Sequence, residues 1–367
     1  MATLEQIALC LTPGIGPTVC RRLIDICSAE ELFTLGRTRL VELFGTHSSI
    51  IASILNKSFH ARAEQEMRFM QQHGIRALFF TEPGFPQRLN NAETADCPAI
   101  LYLLGNADLN AARSLAVVGT RRATPQGRDN TQRIVRELEP TGTTIVSGLA
   151  YGIDTAAHTA ALDHQLPTVA VLGHGLDRIY PPENRQLAER IIASGGALAT
   201  EYPSTTPVNP KHFPARNRII AALADATLVV EASEKGGALI TAAIAIGYHR
   251  DLFAIPGRLT DPYSAGTNNL IATNKAQLVR SADDIAYQLG WPLPGTPAPN
   301  RQQQLFPTLD PIATSIVEAL KTSELTLDEI ASRIQLSMSK TASILFDLEM
   351  QGIVRTLPGH LYHLCRG

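Results

Sequence analysis

The sequence predicts an α/β protein: a doubly wound, extended Rossmann-like and mostly parallel sheet, flanked by a small helical domain before it and a winged-helix domain after it. Three observations carry this. Six short apolar runs, at 115–118, 144–146, 169–172, 197–199, 227–230 and 252–255, are separated by glycine-rich turns, as buried parallel strands are. Stretches of helical length alternate with them, at 126–138, 155–162, 184–193, 215–223 and 238–249, which is the order that builds a sheet covered on both faces. Aromatic residues make up only 5% of the 367, so Ala, Leu, Ile and Val must fill this core.

The flanks read differently. Residues 1–70 show helical periodicity and no strand-like run, and are expected to form a helical domain of their own. Inside them Leu11-Thr-Pro13-Gly14-Ile15-Gly16-Pro17, followed by Arg21 and Arg22, resembles a helix-hairpin-helix turn, whose glycines would offer N–H groups to a DNA phosphate. A compact bundle turn without a ligand reads equally from the same residues. Residues 71–290 are assigned to the sheet domain, and the Pro-, Gly- and Gln-rich stretch 291–309 to a linker. In 310–367, helices at 312–320, 327–334 and 339–351 precede a hairpin over 353–363 with Pro358-Gly359 at its turn, a winged-helix pattern.

Composition excludes several classes. With 32 Lys+Arg against 34 Asp+Glu the chain is no generally basic coat for polyanions, so any nucleic-acid site must be local. The charge is even over 1–70 (seven against seven) and 71–309 (20 against 20), and falls to -2 over 310–367. The five cysteines, Cys10, Cys20, Cys27, Cys97 and Cys365, are scattered without a Cys-x-x-Cys and read as reduced thiols. An acidic start, Met1-Ala-Thr-Leu-Glu5, and the lack of an apolar run near the roughly 18 residues of a membrane span point to the cytoplasm.

In a doubly wound sheet ligands bind beyond the carboxyl ends of the strands. The residues after the six runs share a character. They are Gly119-Thr120-Arg121-Arg122; Ser147-Gly148 with Tyr151-Gly152-Ile-Asp154; Gly173-His174-Gly175 leading to Tyr180-Pro-Pro-Glu-Asn184; Glu201-Tyr202 leading to Lys211-His-Phe213-Pro-Ala-Arg216-Asn217-Arg218; Glu231-Ala-Ser233-Glu-Lys235-Gly236-Gly237; and Pro256-Gly257 with Gly266-Thr267-Asn268. Glycine turns let a ligand approach the backbone, helix amino termini attract anions, and Arg121, Arg122, Lys211, Arg216, Arg218 and Lys235 suit several phosphates. Phe213, Tyr151 and Tyr180 beside these cations fit single-stranded nucleic acid, whose unpaired bases stack while the backbone is neutralised; packing beneath the loops is the competing reading.

Enzyme motifs are missing. No Gly-x-x-x-x-Gly-Lys-Ser/Thr or Gly-x-Ser-x-Gly occurs, the first loop is not Gly-x-Gly-x-x-Gly, and the ten histidines are dispersed, so no cofactor or metal is expected. Asp154 with His158 reads as a helix amino-terminal cap and its neighbour. The third winged-helix helix carries Lys340 against Asp347 and Glu349, a poor charge for a DNA groove, so a protein-contact or regulatory role is expected there.

The motifs Gly119-Thr-Arg-Arg, Ser147-Gly148-Leu-Ala-Tyr-Gly152-Ile-Asp154, Tyr180-Pro-Pro-Glu-Asn184, Phe213-Pro-Ala-Arg-Asn-Arg218-Ile, Gly236-Gly237-Ala-Leu-Ile-Thr241, Pro256-Gly257 and Gly266-Thr-Asn268 resemble, in order, the DNA-processing protein A family, DprA, also called Smf. The chain departs from that pattern at Thr273-Asn274-Lys275-Ala276 and at Lys235 before the glycine pair. The resemblance implies a non-enzymatic single-stranded-DNA-binding protein of natural transformation. Such a protein protects incoming strands, helps load RecA despite single-strand-binding protein, and acts as a homodimer. By position it implies strand-binding roles for Arg121, Lys211, Phe213, Arg216, Asn217 and Arg218. The loop residues Gly119, Thr120, Arg122, Ser147, Gly148, Lys235, Gly236 and Gly237 complete the expected site. A nucleotide-processing enzyme of the phosphoribohydrolase type is the alternative, and it needs a carboxylate just after the glycine pair, where this chain has Ala-Leu-Ile-Thr.

Overall fold

The computed structural model describes residues 2–45, 48–90, 97–292, 311–320, 325–350, 353–357 and 361–364. It divides into two units, Met1–Thr296 and Pro297–Gly367.

In the first unit nine strands make one sheet: β1 (Ile75–Phe79), β2 (Ile100–Gly105), β3 (Ser114–Val118), β4 (Thr144–Ser147), β5 (Thr168–Val171), β6 (Ala197–Thr200), β7 (Ala226–Val229), β8 (Asp251–Ala254) and β9 (Gln277–Leu278). Their order is β1-β2-β6-β5-β4-β3-β7-β8-β9. The pairs from β6 across to β9 are parallel, and β2 runs antiparallel to both β1 and β6. From β3 the chain winds outward through β4, β5 and β6, then returns to the other side of β3 with β7. The winding therefore reverses between β3 and β7, the crevice where such sheets bind ligands.

The pleat explains the core. Leu115 and Val117 of β3 face one layer with Ile134, Ile145, Leu228 and Phe253, while Ala116 and Val118 face the other with Val146, Val169, Ile219 and Ala242. Each of the six predicted runs is a strand, shifted by one residue at most, because strands buried on both faces announce themselves as apolar runs. β1 and β2 lie outside those runs, as do β9 and the helices Ala265–Ala272 and Ala282–Leu289.

The amino-terminal helices share the sheet's core. Ile7, Leu9, Leu32 and Leu40 belong to one buried cluster with Phe79, Leu101 and Leu103. The helix His60–His73 passes into β1 through Gly74, whose φ of 65° is the left-handed helix end that glycine favours. Its Glu66, only 2% exposed, accepts hydrogen bonds from Ser204 N (2.9 Å) and Oγ (2.5 Å) and pairs with Arg62 at 2.8 Å. A buried carboxylate tolerates that place only because its oxygens are satisfied. Trp291, expected at the start of the linker, packs into the sheet's other core layer. Cys20 and Cys97 are buried and Cys10 and Cys27 half-buried, all free thiols.

The second unit has helices Pro311–Leu320, Leu327–Ile334 and Met338–Met350 and an antiparallel sheet of β10 (Leu325–Thr326), β11 (Val354–Leu357) and β12 (Leu361–Leu364), ordered β10-β12-β11. Ile316, Leu320, Ile330, Leu345 and Leu348 form its core. Thr326 and Glu329 close a capping box on the middle helix, each side chain bonding the other's backbone N–H. The Pro358-Gly359 turn, most of the expected linker, and Cys365 lie outside the described residues. Among the described residues no helix is long and apolar enough to cross a membrane.

Candidate nucleic-acid interface

The loops after β3 and β4 interlock through two glycines. A Cβ on Gly119 would overlap the side chain of Ile153, and one on Gly152, at φ 81°, would strike the Thr120–Arg121 backbone. Thr120 N donates to Glu231 O at 2.8 Å, Ile153 N donates to Thr120 O at 3.2 Å, and Arg122 N donates to Thr120 Oγ1 at 3.1 Å. These bonds engage the Thr120 backbone and Arg122 N within the protein, while the side chains of Arg121 and Arg122 are left exposed.

Arg121 lies with its guanidinium 5.4 Å from the centre of the Phe213 ring, within cation–π range. Tyr180, 43% exposed, tilts against the same ring at 5.7 Å between centroids. A Cβ on Gly173 would come within 3.1 Å of Phe213, so glycine there keeps the ring's bed clear. Three loops, after β3, β5 and β6, therefore meet in one patch of cation and aromatic faces. Lys211 is exposed at the start of the helix His212–Leu223, and Lys235 is exposed in the loop after β7. Among the described residues Arg121, Arg122, Lys211 and Lys235 form no ion pair.

Other expected site residues sit beneath this surface. Arg216 is 3% exposed; its Nη1 donates to Gly148 O at 2.7 Å and to Val171 O. Burial lowers its pKa to about 10, with the charge of Asp154 opposing the fall. It binds the ends of β4 and β5 to the helix His212–Leu223 and presents nothing to a ligand, which corrects its expected strand-binding role. Asp154 is not the helix cap either. Gly152 holds that position with no side-chain bond, and Asp154 is buried in the first turn, accepting from Ala150 N at 3.3 Å. Burial raises its pKa while the Arg216 charge pulls the other way.

Gly148 and Ser147 are buried as well. A Cβ on Gly148 would lie 2.6 Å from Arg216 Nη2 and 2.7 Å from Asp154 Oδ2, so this glycine makes room for both charges. Ser147 Oγ donates to Val117 O at 2.6 Å, tying β4 to β3. Arg218 is spoken for by Glu201, donating from Nη1 at 2.6 Å and from Nη2 at 2.7 Å. Burial works against its charge, but the carboxylate more than offsets this and its pKa rises. The Arg218 charge is thus paired within the protein on a side chain that remains partly exposed. Asn217 is half-buried on the same helix.

The glycine pair belongs to a second group of loops. Gly236 caps the helix Gly237–Gly247 and donates from its N to Ser233 O at 3.1 Å, while Gly266 N donates to Ala232 O at 2.8 Å. Asn268 brackets Gly257, accepting from its N at 3.1 Å and donating to its O at 3.0 Å. The Gly266-Thr-Asn268 motif is thereby a clasp between the β7 and β8 loops. Glu231 heads the fifth of the loops named from the sequence but was given no role there, though an acid directly after a buried run amid cationic loops was the signal.

A doubly wound sheet with a basic, aromatic carboxyl edge, joined to a winged-helix unit, defines a nucleic-acid-handling class of Rossmann-like protein. Residues 76–290 match the family model for DNA recombination-mediator protein A, and residues 297–360 match that for the DprA winged helix domain. The chain belongs to the DNA recombination-mediator protein A (DprA/Smf) family. Protein Smf of Synechocystis sp. is 34% identical over 399 aligned residues, covering 99% of each chain. DNA processing protein DprA of Bacillus subtilis is 33% identical over 78% of this chain and 96% of its own. The X-ray structure of DNA processing protein A from Streptococcus pneumoniae superposes with a TM-score of 0.68 at 30% identity, covering 80% of this chain and 99% of that one. The Helicobacter pylori protein, solved for its single-stranded DNA binding mode, superposes with a TM-score of 0.52 at 31% identity over 59% of this chain and 95% of that one.

Proposed function

We propose that this protein binds single-stranded DNA along the carboxyl edge of its sheet and acts in the cytoplasm as a recombination mediator, protecting incoming strands and helping RecA load during natural transformation. The observation that carries the reading is the patch of Arg121, Phe213 and Tyr180, with Arg122 and Lys211 exposed next to it in the chain and Lys235 exposed in the loop after β7, none of the three in an ion pair among the described residues. Cations without protein partners are free to release counterions on meeting phosphates, and the neighbouring rings offer stacking faces that a base-paired duplex cannot use. The Helicobacter pylori relative's single-stranded DNA binding supports the same assignment.

The protein carries no catalysis of its own in this reading and works as a homodimer, loading RecA onto strands coated with single-strand-binding protein. Ile240 and Ile246 on the helix Gly237–Gly247 are 44% and 40% exposed, and such uncovered apolar side chains support self-association. Fluorescence anisotropy with labelled single- and double-stranded oligonucleotides across a salt series tests the core of the proposal. Tighter binding of single strands, with a steep salt slope, is the expected result; equal affinity for the two forms sinks it. In a companion assay the protein is expected to shorten the lag before RecA hydrolyses ATP on coated strands. Release of free base from nucleoside monophosphates would restore the phosphoribohydrolase alternative.

A further inference from the structure

We infer that Glu231 acts as a built-in anion that occupies the phosphate position of the sheet's switch point and shuts free nucleotides out of it. In doubly wound sheets a ligand phosphate sits at the amino terminus of the first crossover helix, in the crevice where the winding reverses. Here that crevice lies between β3 and β7, and the helix is Pro125–Glu137.

The place is filled from within. Glu231, 6% exposed, follows β7 and turns its carboxylate across the crevice. Oε2 accepts from Thr124 N at 3.0 Å and Oε1 accepts from Thr124 Oγ1 at 2.5 Å. Thr124 is the helix cap, its Oγ1 accepting in turn from Gly127 N at 3.0 Å. A Cβ on Gly127 would overlap the carboxylate, so the glycine exists to admit it. The helix has no acid in its own first turn, and Glu231 supplies the negative charge its amino terminus attracts.

A nucleotide phosphate entering here would meet a like charge and find its donors taken. The exclusion deepens the single-strand reading on which it rests: with the switch point closed, the sheet edge accepts a polyanion only across its outer loops, where Arg121, Lys211 and Lys235 stand.

Amide NMR at Thr124 and Gly127 during titration with ADP tests this, beside the oligonucleotide titration of the wild type. Wild type is expected to show no saturable shift at either amide. Glu231→Ser, which removes the charge and opens the space, is expected to bind ADP there at least about tenfold more tightly; Glu231→Ala serves as the second opened variant. Saturable ADP binding at Thr124 in the wild type overturns the inference, whether or not the variants fold. A folded opened variant whose amides do not respond also overturns it. Failure of the wild type to bind oligonucleotide, with the ADP result as expected, counts against the strand reading alone.

Discussion

Arg121, Arg216 and Arg218 carry the same side chain at one sheet edge and do three different jobs, because the groups around each decide whether its charge is available. Arg121→Ala is expected to weaken single-strand binding and lower the salt slope by about 0.7, with the melting temperature unchanged. Arg216→Ala is expected to leave the Gly148 and Val171 carbonyls without this donor and to remove the positive charge beside the buried Asp154, costing about 3 kcal/mol by urea denaturation. Arg216→Lys is expected to recover part of that loss, since one ammonium can donate to both Gly148 O and Val171 O as Nη1 alone does here. The burial of Arg216 was legible, for it lies three, four and seven residues before the buried Ile219, Ile220 and Leu223 on one helix face. The Arg218 to Glu201 pair was not, because it joins a strand end to a helix across a loop that sequence spacing does not describe. His158 offers a pH test. Burial, with the Arg216 charge adding to it, pushes its pKa from 6.5 down to about 3. A base depressed in the folded state takes up its proton only on unfolding, so stability is unaffected above pH 6.5 and falls as pH drops toward 3. The slope contributed is up to about 1.4 kcal/mol per pH unit. His158→Gln, which keeps a partner for Thr168 Oγ1, is expected to flatten that part of the stability profile; an unchanged slope would refute the assignment.

At the scale of elements the glycine-rich loops look alike in sequence and differ in structure. Those after β3 and β4 are glycine because the Ile153 side chain at Gly119, the Arg216 and Asp154 side chains at Gly148 and the Thr120–Arg121 backbone at Gly152 already fill the space a Cβ would take. Gly148→Ala is expected to force Arg216 and Asp154 apart, destabilising the protein by about 1–3 kcal/mol and loosening the Arg121 patch through the shared helix. Gly237 opens a helix with nothing near its missing Cβ, so Gly237→Ala is expected to be neutral or to stabilise by up to about 1 kcal/mol through the unfolded chain. Thermal melts of the two variants side by side test the distinction, and equal losses would show that loop glycines act by flexibility alone. The six buried strands and their order of alternation could be read because burial on both faces removes polar positions from the run. β1 escaped the same reading although Ala77-Leu-Phe-Phe80, after the exposed Arg76, is itself an unbroken apolar run. β2 escaped because, antiparallel within the sheet, it carries no glycine turn into a helix of the kind that marked the others.

For the whole molecule the boundary at residue 70 matters most. A helical stretch with balanced charge reads as a separate domain, yet what covers an apolar helix face cannot be seen in its own sequence. Here that cover is the β1–β2 flank of the sheet: Ala2 N donates to Ala77 O at 2.9 Å, and Glu66 reaches the β6 loop at Ser204. A fragment of 71–290 would strip that flank, exposing surface around Phe79, Leu101 and Leu103 that is at most 1% accessible in the intact chain. At about 25 cal/mol per Å² of apolar area, a few hundred Å² of new exposure approaches the whole stability of a typical domain. The fragment 71–290 is therefore expected to aggregate or melt well below the full chain. A fragment of 1–296 keeps the core intact and carries none of the acidic winged-helix unit, so it is expected to retain the full chain's melting transition and its single-strand affinity. Size-exclusion chromatography, thermal melts and the oligonucleotide titration run on both fragments decide the matter. A stable, monodisperse 71–290 that binds strands like the full chain would show that the amino-terminal helices are only an attached module, whereas loss of binding in 1–296 would give the winged helix a direct part in holding the strand.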